Sequence, residues 1–148
     1  MNSTHAENIG RWMEQNDRLA RLLGMRLESV EPGQCRVSMD VTGDMLNAVG
    51  LTHGGATYSL ADFAFAVASN SHGTVAVALT TQMSYPAASR QGDRLIAEAR
   101  ENNCGSKTGL YTIEVKTQTG RLVGLFSGTV FRRGEPIADW MNGGSSES

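Results

Sequence analysis

Asp62 is the only formally charged residue between Asp44 and Arg90. It sits in the run SLADFAFAVA, flanked by Leu60, Ala61, Phe63 and Phe65. Removing an unpaired carboxylate from water costs several kcal/mol even after relaxation, so a carboxylate kept in such a segment needs a compensating use. Burial also raises a carboxyl pKa, a common device for making an acid or base. Asp62 is therefore the first candidate for a catalytic carboxylate.

A second component precedes it. His53-Gly54-Gly55 places two residues without side chains where a helix would begin, and there the first-turn N–H groups have no intrahelical partner. With the positive end of the helix dipole they form a site for a developing oxyanion, and glycine lets a carbonyl group approach closely. A carboxylate and an oxyanion donor suffice to cleave an already activated acyl group such as a thioester, without a metal. Gly54 and Asp62 are eight residues apart, about 12 Å along a helix, whereas an oxyanion donor must lie about 3 Å from the reacting oxygen. One helix cannot present both to one thioester, but two antiparallel copies can. A homodimer with shared sites is the expectation.

The elements that would hold these residues can be read from periodicity. Residues Ala6 to Leu23 carry apolar side chains at near-helical spacing and stop at Gly24. From Met25 to Val41 the period changes to two around a Pro32-Gly33 turn, which predicts a hairpin. A loop over Thr42–Thr52 leads into a helix ending at His72-Gly73, apolar on nearly every side and so expected to be buried all round. Four strands in a meander should follow, over Thr74–Tyr85, Arg94–Asn102, Lys107–Thr117 and Leu122–Arg132, before a polar, disordered tail, MNGGSSES. Six strands bury an apolar helix only if the sheet curls around it. The fold class expected is α+β, a curved antiparallel sheet wrapped on a long central helix, as a single domain ordered over about residues 6–135.

Composition narrows the function. A net charge of -2 offers no basic field for nucleic acid. No segment reaches the roughly 20 apolar residues of a membrane span, and the N-terminus does not read as a signal peptide. Cys35 and Cys104 stand apart from each other and from any CxxC or Cys/His pattern. That argues against a metal and for a reducing, cytoplasmic setting.

At NAVGLTHGGATYSLADFAFAVASN the chain resembles the PaaI-type acyl-CoA thioesterases of the hot-dog superfamily, the group associated with phenylacetate degradation. The likeness runs from about Trp12 to Arg133, and its most specific part is asparagine, His-Gly-Gly, then aspartate eight residues after the first glycine. QGDRLIAEA and SKTGLYTIEV also suit the family's strand order. The resemblance implies that the Gly54 N–H polarises the thioester carbonyl. It implies that Asp62 of the neighbouring subunit attacks that carbonyl or activates water, and that Asn47 positions the reacting groups. His53 is counted with the site, either as a structural residue fixing the helix start or as an aid to the leaving thiolate.

Gly55 and the segment Ser106, Lys107, Thr108 and Gly109 are candidates to hold coenzyme A, with Arg132, Arg133 and Arg90 as further cations for its phosphates. Tyr85, Phe63 and Phe65 are candidates for an acyl pocket suited to aromatic or medium-length acyl groups. Some relatives hold the water with a serine early in the strand after the central helix. Here Ala76 and Val77 occupy that region, leaving Thr80 or Thr81 as substitutes. No cofactor is implied, since coenzyme A enters as part of the substrate. The resemblance further implies a tetramer made of two dimers. The rival reading is a non-catalytic acyl-CoA-binding module, against which Asp62 weighs.

Overall fold

The computed structural model describes residues 3–143. The N-terminal helical segment is two helices, α1 (Ser3–Asn16) and α2 (Arg18–Leu22), where one was expected. The break falls at Asp17, whose side chain accepts from the Ala20 N–H at 2.9 Å and so caps α2. β1 (Arg26–Glu31) and β2 (Gln34–Asp40) form the expected hairpin, with Gly33 at φ 81° in its turn. The central helix α3 spans Gly54–Asn70, followed by β3 (Thr74–Ser84), β4 (Arg94–Cys104), β5 (Thr108–Thr117) and β6 (Leu122–Pro136).

These strands make one antiparallel sheet of six in the order β1-β2-β4-β5-β6-β3. The fold is α+β and hot-dog, as expected, but the last four strands are not a meander. β4 pairs with β2, while β3 lies at the far edge against β6. Short turns join β4 to β5 and β5 to β6, whereas the loop 85–93 between β3 and β4 is long enough to cross over the intervening strands. A short helix, α4 (Ala138–Met141), precedes the segment read as a disordered tail and takes in only its first residue, Met141. Ile137 beside it packs on Ile9 of α1 and Val75 of β3. Residues 144–148 of that segment lie outside the described residues.

The core lies between the sheet's inner face and α3. Phe65 of α3 meets Tyr111 of β5 and Phe126 of β6 at ring-centroid distances of 5.8 and 5.3 Å. It also covers Gly128, where a Cβ would stand 2.6 Å from the ring, so residue 128 must be glycine for the helix to sit this close. Phe63 is buried as well. Phe65 is therefore core, and the acyl-pocket role expected for it is corrected, whereas Phe63 also borders a groove beside Asp62.

The expectation that α3 is buried all round is also corrected. The sheet clads one side, while Gly55 and Asp62 are exposed and Ser59 and Ala66 half-buried along the other. These four recur at helical spacing, so the uncovered stripe consists of small residues and one acid. Hydropathy alone did not reveal it, because glycine, alanine and serine read as neither wet nor dry.

Candidate functional site

His53 is the N-cap of α3, and its Nδ1 accepts the Gly55 N–H at 2.8 Å. The imidazole therefore carries its proton on Nε2 if neutral. A Cβ on Gly55 would stand 3.0 Å from that Nδ1, which explains the second glycine as room for the cap. The cap also separates the two candidate donors. The Gly55 N–H is taken, while that of Gly54 has no acceptor among the described residues. At the positive end of a 17-residue helix, the Gly54 N–H is the group left free to bind an anionic oxygen.

Asn47 stands beside it. Its Oδ1 accepts from the N–H groups of Val49 and Leu51 at 3.0 and 3.1 Å, which folds the 47–51 turn and aims the amide. The Nδ2 group has no acceptor among the described residues, so Asn47 offers two further donors. Asn47 and Gly54 line one cavity of about 320 Å³, with Leu51, Tyr85, Ala87 and Val123 on its apolar walls. Tyr85 does more than line it. Its hydroxyl donates to the Gly54 carbonyl at 3.0 Å, and its ring lies against the Gly54 Cα. Burial, and then the neighbouring Tyr58, push the Tyr85 pKa up, keeping the hydroxyl a donor.

Asp62 is elsewhere. Its carboxylate is exposed in the single protomer and borders a separate groove with Asp17, Leu19, Met25 and Ser59. Partial enclosure by that groove, and secondarily the charge of Asp17, raise the carboxyl above its ordinary value. Asp17 has no sequence signal that could have found it, because α1 and α2 must fold back on α3 before the two acids meet.

The other expected residues divide. Ser106, Lys107 and Thr108 are exposed on the β4–β5 turn, tied down by the Gly105 N–H to the Thr108 carbonyl and by the Arg132 N–H to the Lys107 carbonyl. Gly109 is buried against Arg132 and Tyr111, out of a ligand's reach. Arg132 is corrected too. It is only 8% exposed and points inward, donating to the Ser69 carbonyl, the Tyr111 hydroxyl and the Cys104 sulfur. Arg133 pairs with Glu135 at 2.9 Å, and Arg90 is exposed in the 85–93 loop. Thr81 faces α3 and bonds the Tyr58 hydroxyl, whereas Thr80 is exposed. Since Arg132 bonds Ser69 near the end of α3, the Lys107 turn lies at the opposite end of that helix from Gly54.

Comparison with known proteins gives a consistent result. Residues 49–124 match the thioesterase superfamily. The chain is 43% identical over 133 residues to a putative esterase of Archaeoglobus fulgidus, covering 90% of this chain and 86% of that one. It is 41% identical over 125 residues to the acyl-coenzyme A thioesterase PaaI of Escherichia coli, covering 84% and 89%. The structure of that E. coli protein, from the phenylacetic acid degradation operon, superposes with a TM-score of 0.89 at 38% identity over 92% of this chain and 99% of that one. A Streptococcus mutans protein bound to acetyl CoA superposes with a TM-score of 0.73 at 28% identity, over 76% and 90%. The chain belongs to the thioesterase superfamily, within its PaaI-type group, and is an acyl-CoA thioesterase.

Proposed function

We propose that hydrolysis takes place at a site assembled from two copies of the chain, with Asn47 and Gly54 from one protomer and Asp62 from the other. The observation that carries this reading is the separation of the parts: Asn47 and Gly54 share a cavity that Asp62 of the same chain does not line. The Gly54 N–H would receive the thioester oxygen, and the raised pKa of Asp62 suits a general base. Asp62 takes a proton from water as the water oxygen adds to the acyl carbon. The C–S bond then breaks, and the proton passes to the departing coenzyme A thiolate. Asn47 orients the acyl group or the water through its free amide donors.

The edge strand β3 is the natural joint. It pairs with β6 on one side only and exposes Val77 and Leu79. A long apolar edge is a template for another strand, and antiparallel pairing of two β3 strands sets two copies of α3 antiparallel. Leu110, Leu125 and Phe131, exposed on β5 and β6, offer a face on which two such dimers stack as a tetramer. Lys107, with Ser106 and Thr108, is the group for coenzyme A phosphates. The cavity's volume and its Leu51, Tyr85 and Val123 walls suit a phenylacetyl, hydroxyphenylacetyl or medium-chain acyl group. No described helix is long and apolar enough to cross a membrane, and free Cys35 and Cys104 suit the reducing cytoplasm.

Co-expression of two inactive chains, Asp62→Asn and Asn47→Ala, tests the shared site. Random pairing makes half the dimers hybrid, each with one intact site, so about a quarter of wild-type turnover is expected to return. A mixture as inactive as its parents would place the whole site in one chain. On a panel of acyl-CoAs, phenylacetyl-CoA is expected to exceed acetyl-CoA in kcat/KM by about tenfold or more, since several buried CH groups separate them. Equal values would remove the acyl-pocket assignment.

A further inference from the structure

We propose that His72, Glu101 and Cys104 form a binding site for one divalent transition-metal ion of the zinc type, at the end of the molecule away from Gly54. An imidazole nitrogen, a carboxylate oxygen and a thiol sulfur lie there within 4.8 Å of one another. That mixture of donors is the one zinc accepts. The three positions are too scattered in sequence to form a motif, so the expectation that Cys104 stands apart fails in three dimensions.

The backbone is shaped to make the cluster. Side chains alternate along a strand, so Glu101 and Cys104, three residues apart, belong on opposite faces of β4. A register shift between Glu101 and Asn103 adds a residue and reverses the alternation, leaving Cys104 opposite the inward-facing Gly109. His72, in the turn leaving α3, comes from the other side, its Nε2 2.6 Å from Glu101 Oε2.

Surrounding groups hold these ligands in place. Tyr111 donates its hydroxyl to Glu101 Oε2, and Arg132 Nη2 donates to the Cys104 sulfur at 3.1 Å. Orienting donors of this kind accompany metal ligands. On binding, the Cys104 thiol proton leaves to solvent and His72 keeps its proton on Nδ1, so the ion's charge balances the carboxylate and thiolate while Arg132 stays as a donor to sulfur. Tetrahedral bonds of about 2.0–2.1 Å put nitrogen and oxygen about 3.3 Å apart, so the ion replaces the proton between His72 and Glu101 after a sub-ångström opening. Cys104 is exposed, which leaves the fourth position to water.

The test uses the full chain without an affinity tag, stripped with chelator and titrated with Co²⁺, then with Zn²⁺. One Co²⁺ per protomer with a sulfur-to-cobalt charge-transfer band is expected, displaced by Zn²⁺. A rise of about 5 °C in Tm should accompany saturation. Cys104→Ser should abolish the band, and both it and His72→Gln should weaken Co²⁺ at least about tenfold. No band at one equivalent in the wild-type chain overturns the proposal. So does Co²⁺ affinity in both variants equal to that of the wild-type chain.

Discussion

Asp62→Asn is expected to lower kcat by about a thousandfold, the usual scale for removing a positioned base, while the protein folds as before. The side chain is exposed in the protomer and has no hydrogen bond to lose among the described residues. Its pKa is raised, so the folded state holds this proton more tightly than the unfolded one does. The stability that goes with a raised pKa is present below the unfolded value and fades as pH rises through the folded value. At neutral pH the ionised carboxylate is thus a liability, and asparagine should leave Tm equal or higher. Activity follows the opposite limb: the basic form works, so kcat/KM should fall with acid at a pH above that of an ordinary aspartate. Steady-state assays of released thiol across pH, with thermal melts of both proteins, check all three. A variant that keeps a tenth of its turnover would remove Asp62 from the chemistry.

Arg132→Met is expected to act on stability instead of substrate. The guanidinium lies 3.6 Å from Glu101 and bonds Ser69, Tyr111 and Cys104. Deleting one partner of such a buried charge leaves the other uncompensated, at a cost of about 3 kcal/mol. For a domain of this size that lowers Tm by about 10 °C. KM for acyl-CoA should stay within about twofold, because the side chain does not reach the surface. Urea unfolding and steady-state kinetics separate the outcomes. A tenfold rise in KM at unchanged stability would return Arg132 to the phosphate-binding role that its sequence position suggested.

That reversal marks how far the residues could be read in order. Every strand was legible from its period, and the helix from its alanines. Gly54 and Asp62 stood out as candidates because a helix start without side chains and a charge in an apolar segment need a reason, whereas Asn47 came only from the family resemblance. Arg132 was misread because burial depends on which face a strand turns inward, and a string of letters with arginine at its end reads as a wet terminus. The exposure of Asp62 was missed because the sheet covers one side of α3 only, a property of strand curvature. Strand order was missed for a similar reason: adjacency in sequence favours a meander, and only the reach of residues 85–93 argues against one. His72, Glu101 and Cys104 meet through a bulge, which no spacing rule announces.

The crossing segment that carries the chain from one sheet edge to its middle also walls the cavity beside Asn47 and Gly54, through Tyr85, Ala87 and Ser89. It is pinned at its middle by Ser89 on Thr52 and near its end by Gly92 on Val41, so the stretch before Ser89 can vary while the strands keep their pairing. Insertions there disturb no ladder and add little closure entropy. If this cavity holds the acyl group as proposed, the kind of acid released can drift among descendants of this protein without any change to Asn47, Gly54 or Asp62.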